Sequence, residues 1–445
     1  MWRELRQREA GSIRPSLLAK HACYRRSRSL QLAKRKEIVS AHKSGVNSLQ
    51  IDAAESRYLL AGASDGSIAI YDTQQATHFD PSSQIAKHEA LSTIDRRTNE
   101  GHEYAVSSVH WYPIDTGLFV SGSFDRYVKI WDSNLLQVEL QFKMPGKVYA
   151  VAMSAVASAH MLIATGTEDV RVHLCDMASG AFTHTLSGHR DGVWALQWSA
   201  SSEWVLVTGG CEGAIRFWDI RRAGCFLVLD QHRTQIGQRS KSASFIHDQA
   251  GTSNGMNHME TNSERGSSFL RKRTAHHTSI RRPEAAKLSR QHPGLTVAQG
   301  VATAHYGSVT SLQTTYDGFY LFSAGLDSRV RLWDMESGCN TLINYGTTRI
   351  AGKKGLQLSF SPDGSLLFVP SDTIIQAYDV WTGNLHATLK GHYDLVNCCS
   401  FHPLDQELYS GSNDRQILVW APPGGTSEDL DPQTQVQADE DNWSD

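Results

Sequence analysis

An all-β fold, a propeller of seven four-stranded blades, is what this sequence predicts, and three observations in its 445 residues carry the expectation. An aromatic residue followed by Asp closes an alternating run at Tyr71-Asp72, Trp131-Asp132, Trp218-Asp219, Trp333-Asp334 and Tyr378-Asp379, and the degenerate copies Cys175-Asp176 and Trp420-Ala421 complete a set of seven. The first residues of these pairs lie 60, 44, 43, 115, 45 and 42 positions apart, a unit of about 43 residues with two insertions. Five histidines preceded by Gly or Ala (His42, His102, His189, His305 and His392) stand 28 or 29 positions before their aromatic.

Within a unit, runs such as Val128-Lys129-Ile130-Trp131 and Val330-Arg331-Leu332-Trp333 have the period of two that makes a strand, and a tight turn containing Asp precedes each. Taken in chain order, residues 1–27 place Leu5, Leu17 and Leu18 among arginines, as short helices for a partner's groove would. A mitochondrial transit peptide is the rival, against which Glu4 and Glu9 stand. Residues 28–232 hold a closing strand and blades one to four, and residues 301–421 hold blades five to seven. After Trp420 the run Ala421-Pro422-Pro423-Gly424-Gly425 cannot supply the last blade's outer strand. Lys36-Glu37-Ile38-Val39 is expected to supply it and so remove an exposed sheet edge.

Two segments fall outside the blades. The 233–300 insert is rich in Ser, Gln, His, Gly and Arg and far longer than an ordered loop, so disorder is expected. Its Arg271-Lys272-Arg273 and Arg281-Arg282 read as a nuclear-import patch or as solvated charge. The acidic tail, 422–445, with Trp443, reads as a docking peptide or a solubilising end.

At fixed offsets the units share a hydroxyl four residues before a turn acid and an aromatic six after it. The sets are His102, Ser121, Asp125, Trp131; His305, Ser323, Asp327, Trp333; and His392, Ser410, Asp414, Trp420. Blade four has Glu212 beside His189, Thr208 and Trp218, and blade one has Ala61 beside His42, Asp65 and Tyr71, departures expected to weaken both sets. Ser, His and Asp together suggest a hydrolase triad. A catalytic set need occur only once, whereas repetition is what buried hydrogen-bond networks tying strands together would show.

Charge and composition bound the function. Residues 1–43 carry twelve Lys/Arg against three Glu, residues 233–290 carry eleven against four acids, and residues 424–445 carry seven acids and no base. The remaining body is acidic, so a nucleic-acid surface built into the fold is not expected, nor direct DNA binding. No uniformly apolar stretch of about 20 residues exists, so no membrane span is expected. Seven cysteines without a Cys-x-x-Cys pair read as buried free thiols, and no phosphate loop or metal cluster stands out, so no cofactor and no metal are expected.

The repeat resembles the WD40 family. Within it, Trp111-Tyr112-Pro113-Ile114-Asp115-Thr116-Gly117, Leu342-Ile343-Asn344-Tyr345-Gly346 and Leu389-Lys390-Gly391-His392-Tyr393 are similar to the Cockayne syndrome group A family. The resemblance spans residues 1–232 and 301–445 and leaves the insert unassigned. It implies a seven-bladed, non-catalytic substrate receptor of a cullin 4 RING ubiquitin ligase, recruited through the damaged-DNA-binding protein 1 adaptor. The setting it implies is transcription-coupled nucleotide-excision repair in the nucleus, with a repair factor or an RNA polymerase II-associated protein as substrate.

Receptors of that ligase often end a repeat with Trp-Asp-x-Arg. Trp218-Asp219-Ile220-Arg221 fits, followed by Arg222, whereas Asn134, Glu336 and Trp381 hold the equivalent place elsewhere. A guanidinium at a blade's edge suits bidentate contact with a partner's carboxylates or carbonyls. The resemblance therefore assigns adaptor binding to Trp218, Asp219, Arg221 and Arg222, and to Leu5, Leu17 and Leu18 in an N-terminal anchor. A generic scaffold in chromatin or signalling complexes is the second reading, because this fold hosts many binding functions, and a hydrolase is the third.

Overall fold

The computed structural model describes residues 6, 11, 14–97, 100–233, 302–350 and 355–423. The expectations for residues 234–300 of the insert, for 424–445 of the tail and for Leu5 lie outside the described residues. The blades belong to the unit formed by Met1–Thr234 and His292–Asp445.

The described strands form six sheets of four strands and one of seven. Each four-stranded sheet follows chain order from an innermost strand outward, as in blade two with Val106–Trp111, Leu118–Ser123, Tyr127–Asp132 and Val138–Lys143. Blade three begins at Val148–Met153, blade four at Val193–Trp198, blade five at Val309–Thr314 and blade six at Ser359–Phe360. Second strands are buried along most of their length because sheets cover both their faces, as for Leu162–Thr167. Seven apolar clusters follow, each shared by successive sheets. Leu60 and Ile70 of blade one pack with Val109, Phe119 and Trp131 of blade two, and Val46, Leu49 and Tyr71 of blade one pack with Tyr409 and Val419 of the seventh sheet.

The seventh sheet departs from the expected four strands. Its own strands, Val396–Phe401, Leu408–Ser412 and Ile417–Ala421, are extended by N-terminal residues, as the C-terminal prolines required. Gln31–Leu32 pairs antiparallel with Trp420 and Ala421, and Ile38 stands opposite Ile417. The closing strand is thus shorter than four residues and broken in two. Ile38 is its buried apolar residue, and Lys36 Nζ donates to Glu407 Oε2 at 2.6 Å and to Tyr409 Oη at 2.8 Å. The first insertion, which sequence periodicity leaves without structure, forms a hairpin of His78–Asp80 and Ile85–His88. Its second strand runs parallel to Lys36–Ile38 and widens this sheet further.

A helix, α1 (Pro15–Arg28), precedes the closing strand, with Pro at its start and Arg25, Arg26 and Arg28 in its last turn where they complement the helix dipole. Its C-terminal end is docked. Arg28 Nη2 donates to Asp379 Oδ2, Arg26 Nη2 donates to the Asp405 carbonyl at 3.1 Å, and His386 Nε2 lies 2.9 Å from the Arg28 carbonyl.

Blade six keeps only two residues in its innermost strand because the preceding residues cross to other blades. Leu356 N donates to the Thr310 carbonyl of blade five, and Gln357 N donates to the Asn397 carbonyl of the seventh sheet. The Gln357 side chain acts as a piece of strand toward blade one, its Nε2 donating to the Leu49 carbonyl at 2.5 Å and its Oε1 accepting from Leu49 N at 3.1 Å. The long insertion leaves the ring intact at its ends, where Gln231 N donates to the Thr303 carbonyl at 3.0 Å.

Gln357→Ala removes both partners of the Leu49 main chain, so folding stability is expected to fall by about 1–3 kcal/mol. Chemical denaturation checks it, and an unchanged midpoint would show that this crossing contributes nothing.

Candidate functional site

The histidine sets come together as networks in four blades. In blade two, His102 Nδ1 lies 2.7 Å from Asp125 Oδ2 and its Nε2 2.7 Å from Ser121 Oγ, which accepts from Trp131 Nε1 at 2.7 Å. Burial keeps the imidazole neutral, and with the carboxylate taking Nδ1–H the indole donates to the hydroxyl and the hydroxyl to Nε2. The turn explains why the acid is Asp. Its second oxygen, Oδ1, accepts from Tyr127 N at 2.9 Å and so closes the turn between the second and third strands.

Blades five and seven repeat the geometry through His305, Asp327, Ser323 and Trp333, and through His392, Asp414, Ser410 and Trp420, with distances of 2.7–2.9 Å. Burial lowers the pKa of His102, His305 and His392, and the neighbouring Asp carboxylates only partly oppose it. Burial alone would raise Asp327, yet hydrogen bonds from His305 and Arg331 hold it well below the usual carboxylate range.

The blade-four set forms its contacts despite its departures. In blade four, Glu212 reaches His189 at 2.7 Å, His189 reaches Thr208 at 2.6 Å, and Trp218 Nε1 donates to Thr208 at 2.8 Å. The extra methylene of Glu spans the same gap, although Glu212 Oε2 is buried without a hydrogen-bond partner. Blade one is weakened as expected. Ser67 stands between His42 and Asp65, with His42 Nδ1 2.6 Å from Ser67 Oγ, and His42 Nε2 has no partner where Ala61 and Tyr71 replace the usual hydroxyl and indole. Burial there lowers the His42 pKa to about 4, against the weaker upward pull of Asp65.

These networks are built for cohesion. Ser121, Ser323, Ser410 and Thr208 are fully buried, and each hydroxyl bridges an indole and an imidazole inside a blade. A nucleophile needs an open approach, which none of them has. Among the described residues no group of three or more His, Cys, Asp or Glu could hold a metal ion, and no helix is long and apolar enough to cross a membrane. The seven cysteines are free, five of them buried and Cys23 and Cys211 half-buried.

The residues expected to bind an adaptor divide by exposure. Trp218 is fully buried and Asp219 nearly so, whereas Arg221 and Arg222 are exposed. Arg221 is preorganised by its neighbours. Its Nε and Nη2 donate to the two Asp219 carboxylate oxygens at 3.0 and 2.9 Å, and the guanidinium lies 5.4 Å from the Trp204 ring. Trp204, which the motif did not bring forward, is half-buried beneath it and is the signal an aromatic near the blade edge would have offered.

Asp219 and Asp379 occupy the same place at the ends of third strands, so Arg221 and the docked end of α1 share one face of the ring. Leu17 and Tyr24 of α1 are exposed and Leu18 is half-buried.

Comparison with known proteins now bears on this arrangement. The family model "WD domain, G-beta repeat" matches residues 33–72, 95–132, 180–219, 298–334 and 383–421. Across its whole length the chain is 53% identical, over 455 residues and all of both proteins, to "WD repeat-containing protein ATCSA-1" of Arabidopsis thaliana. The chain belongs to the WD-repeat family. More distant likeness extends to the nuclear distribution protein nudF of Aspergillus niger, 26% identical over 370 residues that cover 81% of this chain and 77% of that one. It extends also to the ribosome biogenesis protein YTM1 of Phaeosphaeria nodorum, 30% identical over 239 residues and 49% of each chain. Four of the five matched repeats carry a histidine network, and the fifth, blade one, holds the weakened set. Blade three has Met144, Thr165 and Cys175 in the corresponding places, a largely apolar substitute, with Met144 and Cys175 in its core.

Replacing His305 or His392 by Ala strands a buried carboxylate and hydroxyl, so each variant should lose about 1–3 kcal/mol. Thermal melts that do not move would remove these residues from the structural account.

The lowered histidine pKa values predict acid sensitivity with a defined sign. The unfolded chain binds the proton near pH 6.5 and the folded chain does not, so this stability is fully present above pH 6.5 and is lost as pH falls toward each folded value. For His42 the window closes at about 4 and is worth about 3 kcal/mol. A denaturation midpoint that stays flat from pH 7 to 4.5, or a His42→Phe variant with the same slope as wild type, would contradict it.

Proposed function

We propose that the protein is the substrate-recognition subunit of a cullin 4 RING ubiquitin ligase, held by the damaged-DNA-binding protein 1 adaptor and acting in transcription-coupled nucleotide-excision repair in the nucleus. In this reading it is a seven-bladed, non-catalytic receptor. Full-length likeness to the Arabidopsis protein named ATCSA-1 supports it. The observation that carries it is geometric: an exposed helix precedes the first blade and sits on the same face as the Trp-Asp-x-Arg guanidinium. One partner could engage both.

In this arrangement α1 supplies apolar contact through Leu17 and Tyr24, while Arg221 and Arg222 add charged contacts at the rim. Because Asp219 and Trp204 already orient Arg221, little side-chain entropy remains to be lost on binding. The opposite face stays open to substrate. The generic scaffold has support of its own from the ribosome-biogenesis relatives, which share the repeat over about half of this chain.

Arg221→Ala should weaken recovery of the adaptor from cell extract while thermal stability stays nearly constant, since an exposed guanidinium adds little to the blade. Deleting residues 1–27 should weaken it more, because several apolar side chains are lost at about 1.5–3 kcal/mol each before binding costs. A double variant that recovers the adaptor at wild-type levels, or a wild type that never recovers it, would replace the ligase reading with the scaffold.

A further inference from the structure

Every innermost strand from blades one to five, and that of the seventh sheet, begins with Val followed by one residue skipped by the pairing, a bulge. The skipped residues are Asn47, Ser107, Tyr149, Trp194, Thr310 and Asn397. Four are polar and hydrogen-bonded to main chain. Asn47 Nδ2 donates to the Val106 carbonyl, Ser107 Oγ to that of Val148 and Asn397 Nδ2 to that of Val46, each at 2.7 Å and each in the next blade, while Thr310 Oγ1 donates to Ala324 within its own.

Blades three and four break this pattern with aromatics. Among the described residues neither the Tyr149 nor the Trp194 side chain reaches the main chain of the next blade; the Tyr149 hydroxyl instead meets the Trp194 side chain of blade four within hydrogen-bond reach. They meet each other with ring centroids 5.8 Å apart, and Phe124, from the turn of blade two, lies 5.8 Å from Tyr149. All three rings are half-buried, so their apolar surface is only partly covered. These strands begin at the face opposite the third-strand ends, away from Arg221 and α1.

Two carboxylates border the rings. The turn of Glu168 is wedged between the starts of blades three and four, so that a Cβ on Gly146 would lie 3.0 Å from the Glu168 Cβ and one on Gly192 3.2 Å from its carbonyl oxygen. Glu168 and Asp191 are exposed. Arg126, Lys147 and Arg190 are exposed on neighbouring turns, but burial first, then Glu168, Cys211 and Asp191, raise the pKa of the Tyr149 hydroxyl, against a weaker downward pull from its hydrogen bond with Trp194.

We propose that Phe124, Tyr149 and Trp194, bordered by Glu168 and Asp191, form a cup that docks a lysine or arginine side chain of a partner protein. Aromatic faces attract cations, and the two carboxylates complement the same charge while repelling a nucleic-acid backbone. The proposal is independent of the ligase reading, since a receptor or a scaffold would use the cup alike.

The test titrates the full-length protein with fluorescein-labelled short peptides alternating Lys or Arg with Gly, with Glu-containing counterparts and with a single-stranded oligonucleotide, reading anisotropy. The basic peptides should bind in preference to both others. Trp194→Asn and Tyr149→Asn install the residue that Asn47 and Asn397 hold at the same bulge, so melting should be retained while affinity drops about fivefold or more. The exposed Glu168→Gln should weaken binding too, and it decides the matter if an Asn variant fails to fold. No binding of the basic peptides, equal binding of the acidic ones, tighter binding of the oligonucleotide, or undiminished affinity in the folded variants would overturn the proposal.

Discussion

No blade of this protein can bury its own apolar faces, and that constraint organises everything else. A four-stranded sheet has two faces and covers neither, so each of the seven apolar clusters is shared by successive sheets. The arrangement holds only if the last sheet meets the first. Residues from both ends of the chain make that junction, with Ile38 packed among Val46, Tyr71, Tyr409 and Val419. Stability is therefore distributed around the ring but conditional on its closure.

The polar networks act within this frame as cross-links inside single blades. Each ties the segment entering a blade to its second and third strands, through one imidazole whose two nitrogens are both satisfied. Apolar packing alone would tolerate sliding of one strand on another, whereas a chain of directed hydrogen bonds does not. Where the network is absent, as in blade three, Met144 and Cys175 fill the space, and the blade pairs its strands regardless. The hydrogen bonds thus refine register in a structure whose cohesion is apolar.

The two faces of the ring differ in how they expose chemistry. On one, Asp residues at third-strand ends hold arginines, from the same blade at Asp219 and from α1 at Asp379. On the other, bulged residues begin the innermost strands, and blades three and four present aromatic rings there in place of polar links to main chain. The recurrent tryptophans Trp131, Trp218, Trp333 and Trp420 stay inside, whereas the residues on these two faces differ from blade to blade.

The repeat unit, its histidine networks and the need for an N-terminal closing strand were legible in the amino-acid order, because each depends on spacing within about 43 residues or on what proline prevents. His102 to Trp131 could be read as one set since the same interval of 28 or 29 positions from His to aromatic recurs in five units. Other features depended on the ring being closed. The hairpin at residues 78–88 adds to the seventh sheet because closure brings it beside Lys36–Ile38, and Gln357 finds Leu49 more than 300 positions away. Likewise Trp204 lies against the Arg221 guanidinium, a contact that the motif, which holds only the Asp219 pairing, does not encode. Spacing sets which strands form, whereas contacts between distant blades exist only after the last interface has brought the ends of the chain together.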